Sequence, residues 1–239
     1  MRSVTSVLVK GGRSAWKALL DVVYPPRCIR CGATLLEAQP PLCPRCLHRL
    51  ERVEPEDLSA LLQQWPEARQ CLAGAFALWP FDAGGTVQRI QHLLKYGNRP
   101  RYGVAFGMVL GTAYRETVEA VPDLVLPIPL HRARLYERGY NQSAMLGRGV
   151  GRALGVPVSE ALLVRRRATR SQTKLSRRKR WENVSGAFAV PDQDAVATRH
   201  LLLIDDVLTT GATLTAGAMV LKQAGAASVR VATLALARS

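Results

Sequence analysis

Four of the five cysteines in this 239-residue chain fall in two pairs, Cys28-Ile-Arg-Cys31 and Cys43-Pro-Arg-Cys46, with 11 residues between the pairs. Two thiolates on a CxxC turn converge on one metal ion, and a second such turn completes a tetrahedral set. The spacing therefore predicts a Zn2+ site held by Cys28, Cys31, Cys43 and Cys46, structural because no coordination position stays open. Gly32 directly after the first pair suits the positive-φ turn of such a knuckle. Two disulfides or a redox-active CxxC are the other uses of this pattern, and disulfides belong to oxidising compartments. Arg27, Arg30 and Arg45 lie beside the sulfurs, where they would offset the negative charge of four thiolates on one zinc. Cys71 stands alone in an apolar stretch and reads as a buried core residue.

The second stretch with chemical content is Leu201-Leu202-Leu203-Ile204-Asp205-Asp206-Val207-Leu208-Thr209-Thr210-Gly211-Ala212-Thr213-Leu214. It predicts a buried strand ending in two adjacent carboxylates, then a Thr/Gly-rich turn that opens a helix. In an open α/β sheet, ligands bind beyond the carboxyl ends of the strands, which is where the two acids fall. The turn offers backbone N–H groups at a helix N-terminus, and the hydroxyls of Thr209, Thr210 and Thr213 add donors, together making an anion site. Gly211 lets the backbone approach a ligand closely. The lysine of a Walker loop and the glycine spacing of a dinucleotide fold are both missing. Phosphate binding beside carboxylates able to hold sugar hydroxyls is the reading left; the plain alternative is an acidic helix cap on a solvated turn.

Periodicity describes the scaffold that must position these residues. Apolar residues at helical spacing over Ala15 to Val23 predict a short helix, stopped by Pro25 and Pro26. Alternation at Ala73, Ala75 and Ala77 predicts a strand from Cys71 onward, and Val87, Ile90, Leu93 and Leu94 predict an amphipathic helix over Thr86 to Tyr96. Helices at Arg101 to Ala120, Asn141 to Leu154 and Ala212 to Gln223 then alternate with strands at Leu124 to Ile128, Leu162 to Val164, Leu201 to Ile204 and Val229 to Leu236. Such alternation means an α/β fold, a mostly parallel sheet with helices on both faces. No run approaches the roughly 18 apolar residues of a membrane span, and basic residues and glycines interrupt the start before a signal-length apolar core forms. A cytoplasmic, soluble protein is the expectation.

Charge narrows the partners. The chain has 33 basic and 18 acidic residues, a net +15, and only six of the basic residues are lysine. Arginine offers a rigid fork of donors matched to phosphate oxygens, so nucleic acid, phosphate esters and acidic membranes all fit. Nine of the basic residues and no acid lie between Arg165 and Arg180.

The Asp205-Asp206 stretch resembles the signature of the type I phosphoribosyltransferases: four apolar residues, two acids, then a Thr-Thr-Gly-x-Thr turn. The wider chain resembles the ComF family (competence protein ComF and GntX-like proteins), whose members place a four-cysteine, zinc-ribbon-like module ahead of a phosphoribosyltransferase domain. Further stretches carry the likeness: Lys95-Tyr96-Gly97; Pro127-Ile-Pro129-Leu-His131-Arg132-Ala-Arg134; Arg138-Gly139-Tyr140-Asn141-Gln142; and Thr169, Gln172, Leu175, Arg180 and Asn183 running to Phe188. The resemblance implies a helix over 1–23, a zinc module over 24–50, a linker over 51–70 and a phosphoribosyltransferase domain over 71–239. It also implies that Asp205 and Asp206 hold the ribose hydroxyls of phosphoribosyl pyrophosphate. Thr209, Thr210, Gly211, Ala212 and Thr213 would hold its 5′-phosphate, and Arg132 and Arg134, on a loop after a strand, would meet the pyrophosphate together with Mg2+. A solvated basic loop is the plainer reading of the two arginines, and helix capping that of Asn141 and Gln142. The segment 165–180, with Thr169, Gln172 and Arg180, falls where this fold family carries a mobile lid.

Two functions follow. One is a phosphoribosyltransferase, a pentosyl-transferring enzyme of unidentified acceptor. The other is a DNA-uptake factor that keeps the pocket as a sensor and binds single-stranded DNA, a helicase-like partner or other competence proteins. The basic segment favours the second, although no aromatic interleaves it before Trp181.

Overall fold

The computed structural model describes residues 25–35, 40–54, 56–58, 66–167 and 177–237, without the side chains of 177, 178 and 180. The helix expected over 15–23 lies outside the described residues, as do Thr169, Gln172 and the side chain of Arg180. The chain divides into two compact units, Met1–Leu50 and Glu51–Ser239.

The first unit is built from turns. Gly32 adopts φ +74°, and its N–H bonds the Cys28 carbonyl at 2.8 Å, closing the first knuckle. A short helix, α1 (Pro44–His48), follows the second. A single antiparallel bridge, Arg27 to Thr34, ties the two sides of the first loop.

The second unit opens with α2 (Pro66–Cys71) and β1 (Gly74–Pro80), then α3 (Thr86–Tyr96), α4 (Pro100–Thr117) and β2 (Leu124–Pro127). After these come α5 (Arg132–Arg138), α6 (Gln142–Leu154), β3 (Val164–Arg165), α7 (Arg177–Val184), β4 (Phe188–Ala189), β5 (His200–Leu208), α8 (Ala212–Gln223) and β6 (Ser228–Leu236). Four strands form one parallel sheet in the order β1-β6-β5-β2, and residues 157–159 bond to the far edge of β2 through Val125. β3 and β4 form a separate antiparallel pair, so the strand end expected at Leu162 to Val164 does not join the main sheet.

Successive strand side chains point to opposite faces, and both faces are covered. Leu124 and Leu126 of β2, Leu201 and Leu203 of β5, and Val229 and Val231 of β6 share a buried cluster with Leu214, Ala218 and Leu221 of α8. On the other face, Gly147 of α6 rests against Val125 and Pro127. There α6 packs closely on α4: a Cβ at Gly149 would fall 2.1 Å from the Val104 carbonyl oxygen and 2.7 Å from Gly107 Cα.

Three expectations change at this level. Part of the stretch expected as a linker is core, since Leu58 and Ala68 are buried in the α8-facing cluster with Cys71, and the Val53 N–H bonds the Leu78 carbonyl. Arg132 and Arg134 sit on a helix, not a loop, because His131 Nδ1 accepts the Ala133 N–H and starts one. Strand β5 also runs four residues past Ile204, because β6 continues beside it as far as Leu236. Asp205 and Asp206 therefore lie inside the strand. Cys71 is buried as expected; its thiol bonds the Glu67 carbonyl at 3.2 Å, and burial pushes its pKa up to about 11. Among the described residues, no helix is long and apolar enough to cross a membrane.

Candidate functional site

In the first unit, the four thiol sulfurs of Cys28, Cys31, Cys43 and Cys46 lie within 4.8 Å of one another. Tetrahedral zinc with Zn–S bonds near 2.3 Å requires sulfurs about 3.8 Å apart, and Cys31 Sγ and Cys43 Sγ are separated by 3.8 Å. The donor set fits zinc. The Cys43 N–H points at Cys28 Sγ, 3.4 Å away; although burial acts against it, such backbone donors bring Cys28 down to about 6. Arg27, Arg30 and Arg45 are all exposed, and Arg30 Nη1 lies 3.3 Å from the Cys46 carbonyl, so that it reaches across the cluster.

In the second unit, the adjacent acids of β5 take different partners. Asp205 Oδ1 accepts from Ser143 Oγ of α6 at 2.8 Å and from the Asp206 N–H at 2.9 Å. Among the described residues nothing bonds its other oxygen, Oδ2. Asp206, 7% exposed, turns toward α3: its Oδ2 meets Lys95 Nζ at 2.8 Å and Gln91 Nε2 at 3.4 Å. Burial and the Asp206 charge push the Asp205 carboxyl up to about 7. Burial acts the same way on Asp206, but the Lys95 ammonium outweighs it and holds that carboxyl below its ordinary range. One acid is thus kept ionised beside another that is easily protonated.

Beyond β5, Gly211 adopts φ +76° and caps α8, a conformation a side chain would strain. Its carbonyl accepts the Thr215 N–H at 2.9 Å. The first turn of α8 lines a small concavity with Asp205, Thr209, Gly211, Ala212 and Thr213. Thr209 is exposed, Thr210 and Thr213 are half-buried, and the Ala212 side chain is buried, which leaves Ala212 only its N–H to offer.

A second, larger hollow of 840 Å³ opens between the α5–α6 junction and β3; His131, Arg132, Arg148, Arg165 and Arg166 face it, with Glu160 the one acid. Arg165 links the two hollows electrostatically. Burial lowers its pKa, Asp205 opposes that effect, and Arg134 adds to it, so all three charges lie in one neighbourhood. The junction itself is braced. Asn141 Oδ1 caps α6 by accepting the Ser143 N–H at 3.0 Å while its Nδ2 bonds the Ile128 carbonyl at 2.9 Å, so capping is its observed part. Gln142 is buried and accepts from Arg138 Nη1 at 2.8 Å. Tyr140 Oη donates to the Leu94 carbonyl at 2.6 Å, and Arg138 lies over the Tyr96 ring at 5.7 Å.

Comparison with known proteins adds a domain-level result. The family model described as phosphoribosyl transferase domain matches residues 141–239, and the one described as double zinc ribbon domain matches residues 19–57. The DNA utilization protein YhgH of Escherichia coli O157:H7 is 35% identical over 154 residues, covering 63% of this chain and 67% of that protein. The chain belongs to the ComF family. Competence protein F of Haemophilus influenzae is 33% identical over 118 residues, which span 49% of this chain and 52% of that protein. Among solved structures, the allosteric regulatory enzyme of purine biosynthesis aligns at 20% identity and a TM-score of 0.41, over 59% of this chain and 29% of that one. This ComF-family chain thus joins a zinc ribbon to a type I phosphoribosyltransferase fold. Its five cysteines supply one four-cysteine ligand set.

Within this ComF-family protein, Asp205 and Asp206 lie in the carboxyl-terminal half of the interior strand β5, Thr209, Thr210, Gly211, Ala212 and Thr213 lie on the turn and the start of α8 that follow it, and Arg132 and Arg134 lie on α5. Sequence reasoning assigned no role to Ser143, Gln91 or Lys95. The i, i+4 spacing of Gln91 and Lys95 puts both on one face of α3, but no local signal says that this face meets Asp206.

Proposed function

We propose that residues 51–239 bind phosphoribosyl pyrophosphate and transfer its phosphoribosyl group to an acceptor, in a protein that serves natural competence and DNA use. The observation that carries this reading is the open Oδ2 of Asp205 beside the N-terminus of α8. A sugar phosphate spans such a gap, with ring hydroxyls on the carboxylate and the 5′-phosphate on the N–H groups of Gly211, Ala212 and Thr213 and the threonine hydroxyls. As the bond from the anomeric carbon to diphosphate breaks, positive charge grows on the ribose and the pair of carboxylates stabilises it. The leaving diphosphate would be met by Arg165, Arg132 and Arg134.

Mg2+ fits the donor chemistry on one side only. Asp205 Oδ2 is a hard oxygen open to a cation, while Asp206 Oδ2 is engaged by Lys95 and Gln91. Asp205, together with ligand oxygens, would hold the ion, which would supply charge neutralisation on the diphosphate. The names of the relatives, DNA utilization protein and competence protein F, support the cellular setting. Titration of the protein with phosphoribosyl pyrophosphate and Mg2+ tests the pocket: saturable heat that Asp205→Asn abolishes is expected, and heat that survives the substitution refutes it. A screen for pyrophosphate release across bases, amines and DNA would name the acceptor.

A second reading, binding of single-stranded DNA, is favoured by a surface that charge alone did not reveal. Tyr136 is 92% and Tyr96 66% exposed; Arg138 stacks on Tyr96, and His92 lies 4.9 Å from the same ring. Exposed aromatic rings among arginines are what base stacking on a single strand uses. Replacing Tyr96 and Tyr136 by alanine should weaken binding of an oligothymidine, whereas replacing Arg177, Arg178, Lys179 and Arg180 should flatten its salt dependence. Unchanged affinity and slope would remove this reading and leave the first standing.

A further inference from the structure

The parallel sheet has a second end, away from the acids. At the amino ends of β5 and β6 lies a cavity of 360 Å³, walled by Leu201, Val121 and Pro122 and carrying four polar side chains, Tyr114, His200, Ser228 and Arg230. Its size is at the small end of the range for small-molecule sites, and its pattern of apolar walls with a few convergent polar groups is the usual one. His200 and Asp205 lie on the same strand five residues apart, so the two sites are separated by about 16 Å.

Arg230 is the unusual member. It is half-buried, and among the described residues no hydrogen bond or ion pair reaches its guanidinium. A charge drawn partly out of water without a counter-ion is costly, and an anion relieves that cost. The position is also built around it. In the β1–β6 ladder Arg230 stands opposite Gly74, and a Cβ at Gly74 would lie 2.5 Å from Arg230 Nη1. The missing side chain is thus what gives the guanidinium room. Tyr114, 2% exposed, is fixed from the other side by the edge of Phe76 at 5.7 Å. Arg230 is near enough to counter part of the upward shift that burial imposes on its phenol.

The remaining donors complete the lining. His200 Nδ1 and Ser228 Oγ are 2.8 Å apart, and the His200 N–H is held by Asp123 Oδ2 at 2.7 Å, which fastens that carboxylate to the backbone at the rim. The His–Ser contact does not make a nucleophile, because among the described residues no third group orients the imidazole. Binding is the function left.

We propose that this cavity is a second ligand site, for a small organic anion that presents a carboxylate or phosphate monoester to Arg230 and buries an apolar body against Leu201 and Val121. The guanidinium fork would receive the anion as a pair of charge-assisted hydrogen bonds, with the Ser228 hydroxyl able to add a donor, while the Tyr114 hydroxyl donates to the Ala120 carbonyl at 3.4 Å.

The test titrates the isotope-labelled, zinc-loaded full chain separately with benzoate and with phenyl phosphate, following backbone amides by NMR. Signals of Ala73, His200 and Ser228 should shift saturably. Arg230→Met should weaken binding by about tenfold or more while Arg230→Lys keeps part of it, and Asp205→Asn should leave it unchanged. Tighter binding of benzoate would identify carboxylates as the class, and tighter binding of phenyl phosphate would identify phosphate monoesters. Should Arg230→Met fail to fold, Gly74→Ala, which displaces the guanidinium, carries the same expectation. Shifts confined to residues 209–213, wild-type affinity in Arg230→Met, or no saturable shift with either probe would each overturn the proposal. Shifts confined to residues 209–213 would put the anion in the Asp205 pocket instead; the other outcomes leave that pocket to its own titration.

Discussion

Asp205 and Asp206 are covalent neighbours with opposite electrostatics, and the difference can be measured. A carboxyl whose folded pKa is raised binds its proton more tightly in the folded state, so its ionisation costs stability. That cost is absent below the unfolded pKa near 4 and complete once pH has risen through the folded value near 7. Asp205→Asn keeps the Oδ1 acceptor for Ser143 and the Asp206 N–H while removing the charge. Its melting temperature at pH 8 should therefore exceed that of wild type by about 2–4 °C, the effect of about 1 kcal/mol in a domain of this size. The advantage should vanish at pH 4, and a variant no more stable at pH 8 would contradict the assignment. The hydroxyls of the proposed ligand would bond the ionised form, so affinity for phosphoribosyl pyrophosphate should rise as pH climbs from 6 to 8, which calorimetry at fixed Mg2+ would show. Asp206 behaves the other way. Lys95→Met strands its buried carboxylate and should cost about 3 kcal/mol, most of it recovered when Asp206→Asn is added, as a double-mutant cycle in urea would reveal.

At the scale of elements, the site depends on a helix pair that glycine brings together. Alanine is the better helix former by about 1 kcal/mol, so Gly149→Ala on an isolated helix would stabilise it. Here the added methyl meets the Val104 carbonyl and Gly107, and overpacking of about 1–3 kcal/mol should dominate. Thermal unfolding should show a net loss, and because α6 carries Ser143, ligand affinity should fall with it. The same scale shows where periodicity was a sufficient guide. The helices at Thr86–Tyr96 and Ala212–Gln223 appear with the bounds their apolar spacing predicts, since an amphipathic face declares itself locally. Around Arg132 it was insufficient: α5 buries none of its residues and so leaves no apolar pattern to read. The end of β5 was missed for a related reason, because two acids interrupt the apolar run while backbone pairing to β6 carries the strand through them.

At the scale of the whole molecule, each unit is held together by different means. Around the cysteines of the first, from Tyr24 to Leu50, large apolar side chains are sparse, and the turns there converge on four sulfurs. Chelation should unfold it, with amide protection lost across residues 25–35 and 40–50 and one zinc released per chain to a colorimetric indicator. Retained protection after the metal is stripped would show that the turns stand alone. The second unit rests on a sheet buried on both faces, whose apolar strands were plain in the sequence.

What the amino-acid sequence determined by itself is what near neighbours decide. Two CxxC turns, an acid pair before a Thr/Gly turn, and the alternation of strands and helices are each read over short stretches of chain, and they were enough to indicate the four-cysteine cluster, the fold class and a strand–turn–helix passage that carries the acids. Tertiary structure decided how the acids differ. Ser143 is 62 positions from Asp205 and Gln91 is 115 from Asp206, so those partners meet only after the sheet and its helices have closed long loops. Local patterns carry no record of which distant face will be pressed against them, and in a buried site that distant face sets the charge.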